Sequence, residues 1–245
     1  MSIILAIETA TPSCSAALRI DGEVVVRAEV GNNIHSQVLL GMIESLLDEA
    51  QLSAQALDAV SVGQGPGSFT GLRIGVGVGQ GLAFGANCPM IGVSSLDALA
   101  LQAAALQASA LQAARHNSII AAIDARMGEV YWCEYEKIGD HIKRLSGLCV
   151  TPPAEVQFSD ADADAVGVLV GNAWSAYPDQ FSALSERSTE IQSSIIYPSA
   201  GSLLCLAEEQ YRQRNWLSAA LFAPIYVRND VAKKSTKKLP GRRPE

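Results

Sequence analysis

Histidine is scarce in this chain: His35, His116 and His141 are far apart, with no His-x-x-x-His pair among them. A zinc or iron centre generally needs several such ligands, so the histidines alone supply none. The five cysteines, Cys14, Cys88, Cys133, Cys149 and Cys205, are scattered and form no Cys-x-x-Cys. No zinc cluster follows; buried reduced thiols are the expectation, with a catalytic cysteine as the alternative. No run approaches the roughly 18 apolar residues that a membrane span requires, and Met1–Leu5 has no basic start of a secretory signal. The chain is read as cytoplasmic, with no membrane contact. Gly-x-Ser-x-Gly, the nucleophile elbow of serine hydrolases, is also missing.

What is present is a chain of 245 residues, 49% hydrophobic, long enough to bury one large core or two smaller ones. Its net charge of −7 is unevenly spread, because residues 231–245 carry six basic residues and one acid. The remaining body, 1–230, holds 12 basic against 24 acidic residues. Such a body does not favour unaided binding to nucleic-acid phosphate. The basic tail is read as flexible and solvated, with RNA contact as the alternative.

Ile3–Thr9, Ser15–Ile20 and Glu23–Val30 have strand length and composition, and Asp21-Gly22 is a hairpin signal between the last two. Leu39, Met42, Ile43, Leu46, Leu47 and Ala50 then share one helical face, with Asn33 placed to cap the first turn. A strand near Leu57–Gly63, a glycine-rich loop, a helix over about 70–85, a strand at Met90–Val93 and a helix from Ser95 follow. This is the order of a ribonuclease H-like α/β fold.

The order occurs twice. Ser2–Glu8 (SIILAIE) aligns with Ser118–Asp124 (SIIAAID), identical at five of seven positions, and each run ends in a carboxylate. Glu129–Lys137 and Ile142–Val150 follow around Gly139-Asp140, and Val168–Asn172 echoes Val60–Gln64. A duplicated fold is expected. Residues 151–165 stand where the first copy has its long helix, so the second lobe is smaller. The expected division is 1–115, including an Ala/Leu/Gln-rich linking helix; 116–230; and the tail 231–245. A last helix opens at Pro198-Ser199, and Pro224–Arg228 reads as a strand.

The loop Gly65-Pro66-Gly67-Ser68-Phe69-Thr70-Gly71 lies between a strand and a helix, where free N–H groups could hold an anion. It lacks the Gly-Lys-Ser/Thr of a Walker loop and the spacing of Gly-x-Gly-x-x-Gly. A tight turn capped by Ser68 or Thr70 is the competing reading. In the helix that follows, Gly occupies 71, 75, 77, 79, 81 and 85, and only Arg73 and Gln80 are clearly polar. Each interior glycine costs about 0.8–1 kcal/mol relative to Ala, so close packing must offset the loss. Gly71/Gly75/Gly79 and Gly77/Gly81/Gly85 form two smooth tracks. A helix apolar all round must be covered all round. Beside it, Val38, Gly41 and Ser45 flank the core stripe of the preceding helix. Either a partner covers this flat apolar face or residues 97–115 do. The expected partner face comprises His35, Val38, Gly41, Met42 and Ser45 with Arg73, Gly75, Val78, Gly79 and Leu82.

Glu8 and Asp124 end equivalent strands, as the paired carboxylates of a Mg²⁺-phosphate site would. The loop after Glu8, Thr-Ala-Thr-Pro-Ser-Cys-Ser, has no glycine to admit phosphate, and Pro12 removes a donor. Gly171-Asn172-Ala173-Trp174 stands where a Gly-Gly turn would underlie an adenosine. No cofactor or metal is expected, although a small actin-like ATPase or phosphotransferase and, less so, a peptidase remain as alternatives.

These segments together resemble the TsaB (YeaZ) family. The resemblance rests on Ile4–Thr9, on Gly65–Gly75 as its most specific signature, on Ser94–Ala100, on Asp124–Tyr131 and on Pro224–Arg228. Ala103–Asn117 and the tail match least. The resemblance implies an actin/sugar-kinase/Hsp70 fold and a non-catalytic subunit of the tRNA threonylcarbamoyladenosine machinery. It implies pairing, through the N-terminal lobe, with TsaD. In that family TsaD transfers threonylcarbamoyl to N6 of the adenosine 3′ of the anticodon. It further implies association with the ATPase TsaE, and a homodimer through the same surface when alone.

Overall fold

The computed structural model describes residues 2–110, 118–158, 167–181, 184, 190, 191 and 193–228. The tail expected at 231–245, residues 111–117 of the Ala/Gln-rich segment and residues 159–165 of the shortened second copy lie outside the described residues.

The first sheet contains β1 (Ile4–Glu8), β2 (Ser13–Ile20), β3 (Glu23–Val30), β4 (Ala59–Gly65) and β5 (Met90–Ser94), in the order β3-β2-β1-β4-β5. The second contains β6 (Ser118–Arg126), β7 (Glu129–Ile138), β8 (His141–Arg144), β9 (Cys149–Thr151), β10 (Val168–Val170) and β11 (Glu190–Ile191). Its path, β8-β7-β6-β10-β11, repeats the permutation of the first sheet, with β9 as an extra pairing on β7. In each copy the first two strands are antiparallel, and the first is parallel to the fourth. The duplication visible in the sequence is therefore a duplication of topology. Asp21 and Gly22 both take positive φ between β2 and β3, as a two-residue hairpin turn requires.

Strand alternation assigns each apolar residue to one of two layers. On one face of the first sheet Leu5, Ile7, Val60 and Val62 meet α1 (His35–Glu49) and α2 (Phe69–Ala86) through Leu39, Ile43, Leu46, Val76 and Ala83. On the other face Ile4, Ala6 and Ile91 meet α5 (Ala200–Arg212) through Leu203, Leu204 and Ala207. In the second sheet Ile119, Ala121 and Tyr135 pack on Leu96, Leu99, Ala100 and Ala103 of α3 (Ser95–Ala110). Its opposite face is covered by short elements around Trp174 of α4 (Ala173–Ala176), with Phe181 and Leu184. Asp97, in the first turn of α3, accepts two bonds from Arg144 of β8 at 2.7 and 2.6 Å and one from the Tyr135 hydroxyl at 2.8 Å.

The expected lobe boundary at 115/116 lies outside the described residues. Leu96, Leu99, Ala100, Ala103 and Ala104 of α3 pack on the second sheet while Ala98 packs on the first, and α5 and the chain after it return to the first. Ile142–Val150, expected as one strand, is two, β8 and β9, both paired to β7. Asn33 does not cap α1: it adopts a left-handed φ of 60°, Ile34 takes the cap position, and no side chain caps that end. Pro224–Arg228 is not a strand. Pro224 lacks an N–H, and the segment's one backbone bond to β4 is Ile225 N–H to the Gln64 carbonyl, 2.8 Å.

Candidate functional site

Two regions collect the residues singled out by the sequence: the cleft between the sheets and the outer face of α1 and α2. The cleft has a volume of about 360 Å³ and is lined by Ala10–Pro12, Pro66–Leu72, Asp124–Arg126 and Tyr226–Arg228, among others. Of the equivalent carboxylates, Asp124 lines it and Glu8 is buried behind it, two residues before Ala10. Glu8 is fully buried, its Oε1 accepting from Ala10 N–H at 2.6 Å and its Oε2 from the Ser95 hydroxyl at 2.8 Å. Gly63 of β4 lies against it, and a Cβ there would fall 2.3 Å from Oε2. Burial pushes the Glu8 carboxyl above its ordinary range, opposed by the bonds from Ala10, Ser95 and Thr9.

Asp124 repeats the motif, its Oδ1 accepting from Arg126 N–H at 2.7 Å. It also receives the Tyr177 hydroxyl at 2.8 Å and pairs with the Arg126 guanidinium at 3.2 Å. One carboxylate is thus enclosed by the Ala10 N–H, the Ser95 hydroxyl and Gly63, and the other is paired with Arg126 and Tyr177. Among the described residues no group of three His, Cys, Asp or Glu converges as a metal site.

The loop Gly65–Gly71 is a close-packed joint. Ser68 N–H donates to the Ala10 carbonyl at 2.7 Å, and a Cβ at Gly67 would fall 2.4 Å from that oxygen. The Ser68 hydroxyl caps α2 by accepting from Gly71 N–H at 3.3 Å. Here the capped-turn reading accounts for the glycines: Gly67 and Gly71 let the turn lie against residues 10 and 9, and Gly65, at a φ of 108°, lies against the Ile225 carbonyl.

The two glycine tracks of α2 have opposite orientations. A Cβ at Gly71 would sit 2.0 Å from the Thr9 carbonyl oxygen, at Gly75 2.3 Å from the Thr9 hydroxyl, and at Gly79 2.6 Å from Val62. This track lets the helix descend onto β1 and β4. At Gly77, Gly81 and Gly85, no described atom lies within 4 Å of the added carbon. That track faces outward beside Phe84, which is 84% exposed, and α1 contributes exposed Gly41 and Leu40 on the same face of the sheet.

A family model described as TsaD: tRNA N6-adenosine threonylcarbamoyltransferase matches residues 26–236. The chain is 39% identical to the tRNA threonylcarbamoyladenosine biosynthesis protein TsaB of Escherichia coli (strain K12), over 98% of its own length and 99% of that protein. The chain belongs to the TsaB family. TsaB of Haemophilus influenzae is 36% identical over 98% of each chain. A solved structure of YeaZ from Pseudomonas aeruginosa superposes with a TM-score of 0.81 at 36% identity, covering 92% of this chain and all of that one. A family named for tRNA threonylcarbamoyladenosine biosynthesis thus carries the duplicated fold described above. No described helix is long and apolar enough to cross a membrane.

Within this TsaB-family chain the residues expected on a partner face divide three ways. Gly41, Ser45 and Arg73 are exposed; Val38, Met42, Val78 and Leu82 are half-buried. His35, Gly75 and Gly79 are turned inward and are corrected. The buried His35 ring donates from Nε2 to the Thr11 carbonyl at 2.8 Å, and the two glycines lie on the sheet. Leu40, Gly77, Gly81, Phe84 and Gly85, which that expectation did not include, are exposed on the same two helices. Gly77, Gly81 and Gly85 are spaced four apart, and their spacing offered the signal. Phe84, one turn beyond Gly81, could have been found the same way. Of the cysteines expected to be buried, only Cys14 and Cys133 are; burial pushes the Cys14 thiol up to about 11.

Proposed function

We propose that this chain is the non-catalytic subunit that docks on a TsaD-type transferase and activates its transfer of threonylcarbamoyl to the adenosine 3′ of the tRNA anticodon. The observation that carries the reading is the outward glycine track Gly77/Gly81/Gly85, next to the exposed Phe84 on the same helix, with Leu40 exposed on α1. Glycines weaken a helix, and the inward track is explained by its contacts with β1 and β4. The outward track has no such compensation among the described residues, and a second backbone lying close along it would supply one. The alternative of internal cover by residues 97–115 gains no support from their described part, since Leu99, Ala100 and Ala103 pack on the second sheet.

A non-catalytic role is supported by the occupied state of both equivalent carboxylates, Glu8 and Asp124. In the proposed assembly tRNA is held by the complex, TsaE joins it, and the same α1–α2 face pairs two copies when the partner is absent. A specific interface needs about 1,200–2,000 Å² of buried surface, which the two helices and their surroundings must provide together. The test is threonylcarbamoyl transfer by the TsaD-type subunit with and without this chain, alongside calorimetric titration of the two. Stimulation with measurable binding is expected; neither binding nor stimulation would end the reading.

A further inference from the structure

Past α5, residues 217–228 run back along α2 and then over the mouth of the cleft. Leu217 exchanges both backbone bonds with Met90, and the Gln80 side chain donates to the Ala219 and Phe222 carbonyls at 2.8 and 3.0 Å. Phe222 is buried in the first core. Gln64 Nε2 donates to the Ala223 carbonyl at 2.7 Å, while Ile225 N–H returns a bond to the Gln64 carbonyl. At the start of α2, Arg73 Nε donates to the Tyr226 hydroxyl at 3.1 Å. Its guanidinium lies 3.7 Å from the centre of the Phe69 ring, which packs 5.5 Å from the Tyr226 ring. Arg228 then crosses to the second lobe, pairing with Glu129 and donating to the Arg126 carbonyl at 3.3 Å.

This strap is held by its backbone and by Phe222, yet it presents large apolar side chains to solvent. Leu221 is 73% exposed, Tyr226 46% and Ile225 42%. They flank α2, whose own Phe84 and Phe69 are exposed. We infer that the docking surface continues from the α1–α2 face onto the strap, with Leu221, Ile225 and Tyr226 contacting the TsaD-type partner and Arg228 positioning them from the second lobe. This rests on the partner reading above and deepens it. Continuity with that face favours the same occupant. The chain's own tail is a poor candidate, because residues 229–245 offer only Val231, Ala232, Leu239 and two prolines against six Lys and Arg. Anchored backbone with outward aromatic and aliphatic side chains is also the pre-organised form in which such contacts lose least entropy on binding.

The test is calorimetric titration of the TsaD-type subunit with full-length variants. Leu221→Asp and Tyr226→Ala should each weaken binding at least tenfold while leaving the melting temperature within a degree or two. Arg228→Gln should weaken it several-fold and speed amide exchange at Ile225 and Tyr226, with Arg228→Lys restoring part of both. Adding Glu129→Gln to Arg228→Gln should cause little further loss. Gly81→Leu separates the two ideas. If it abolishes binding while Leu221→Asp and Tyr226→Ala bind as the parent does, the strap is a bystander and this inference fails alone. If Gly81→Leu also binds normally, the partner reading itself fails. Loss of self-association only, in Leu221→Asp, would assign the strap to a second copy and overturn the inference, and unchanged affinity and exchange in Arg228→Gln would remove its positioning role.

Discussion

The two lobes share a strand permutation and differ in how they cover it. The first covers one sheet face with long α2, whose glycines bring it down onto β1 and β4 and leave a second glycine line open. The second covers the face opposite α3 with short elements and large side chains. Trp174 and Phe181 pack with centroids 4.4 Å apart, and the Trp174 indole donates to the Val170 carbonyl at 2.9 Å. Aromatic side chains close that layer from within, whereas glycine leaves a surface another backbone can approach. The same topology thus provides one sheet whose face opposite α3 is closed by aromatic side chains and one whose covering helix leaves a line of glycines exposed.

The comparison can be broken at several points. Trp174→Ala should cost about 3–5 kcal/mol, the usual range for removing a buried Trp, while leaving partner affinity unchanged, as read by chemical denaturation and calorimetry. Loss of affinity in a folded Trp174→Ala protein would show that the second lobe also serves docking. Gly79→Leu and Gly81→Leu sharpen the contrast within α2. Driving a side chain into Val62 and Met90 should cost about 1–3 kcal/mol or more. An exposed Gly81→Leu should hold or raise the melting temperature, since Leu is the better helix former by several tenths of a kcal/mol, yet lose at least tenfold in partner affinity. Matching behaviour of the two variants would erase the distinction between inward and outward tracks.

A smaller effect separates the carboxylates. The folded value of Glu8 lies above its unfolded one, so the folded state binds this proton more tightly. Its contribution is full below the ordinary carboxylate range and is lost as pH rises through the raised folded value. Glu8→Gln should therefore flatten that part of the stability–pH curve and become relatively more stable toward neutral pH. An unchanged pH profile would mean that the enclosed carboxylate carries no such penalty.

Much of this fold was legible because local signals agreed with one another: apolar strands, Asp21-Gly22 at a turn, and a helical stripe at Leu39, Ile43, Leu46 and Leu47. Ser68 and Ser199 cap helices α2 and α5 through their hydroxyls, both at positions the sequence marked. The orientation of α2 was less legible. Gly75 and Gly77 lie about 200° apart around a helix, but an apolar helix gives no polar side by which to choose the inward one. The strap's course was not legible either, because its anchors are side-chain amides of Gln64 and Gln80, more than a hundred residues away. Asn33 failed as a cap because it sits one residue early and the turn takes it into the left-handed region.

The crossing of α3 to the second sheet and the return of α5 to the first bear on synthesis as well as architecture. The rear layer of the first sheet is supplied by Leu203, Leu204 and Ala207, so strands translated first wait for residues made near the end. Until then Ile4 and Ala6 lack most of their cover, and neither half has a complete interior of its own. A break between the halves would separate each from a layer supplied by the other, so this protein should assemble as one cooperative unit after its last helix leaves the ribosome.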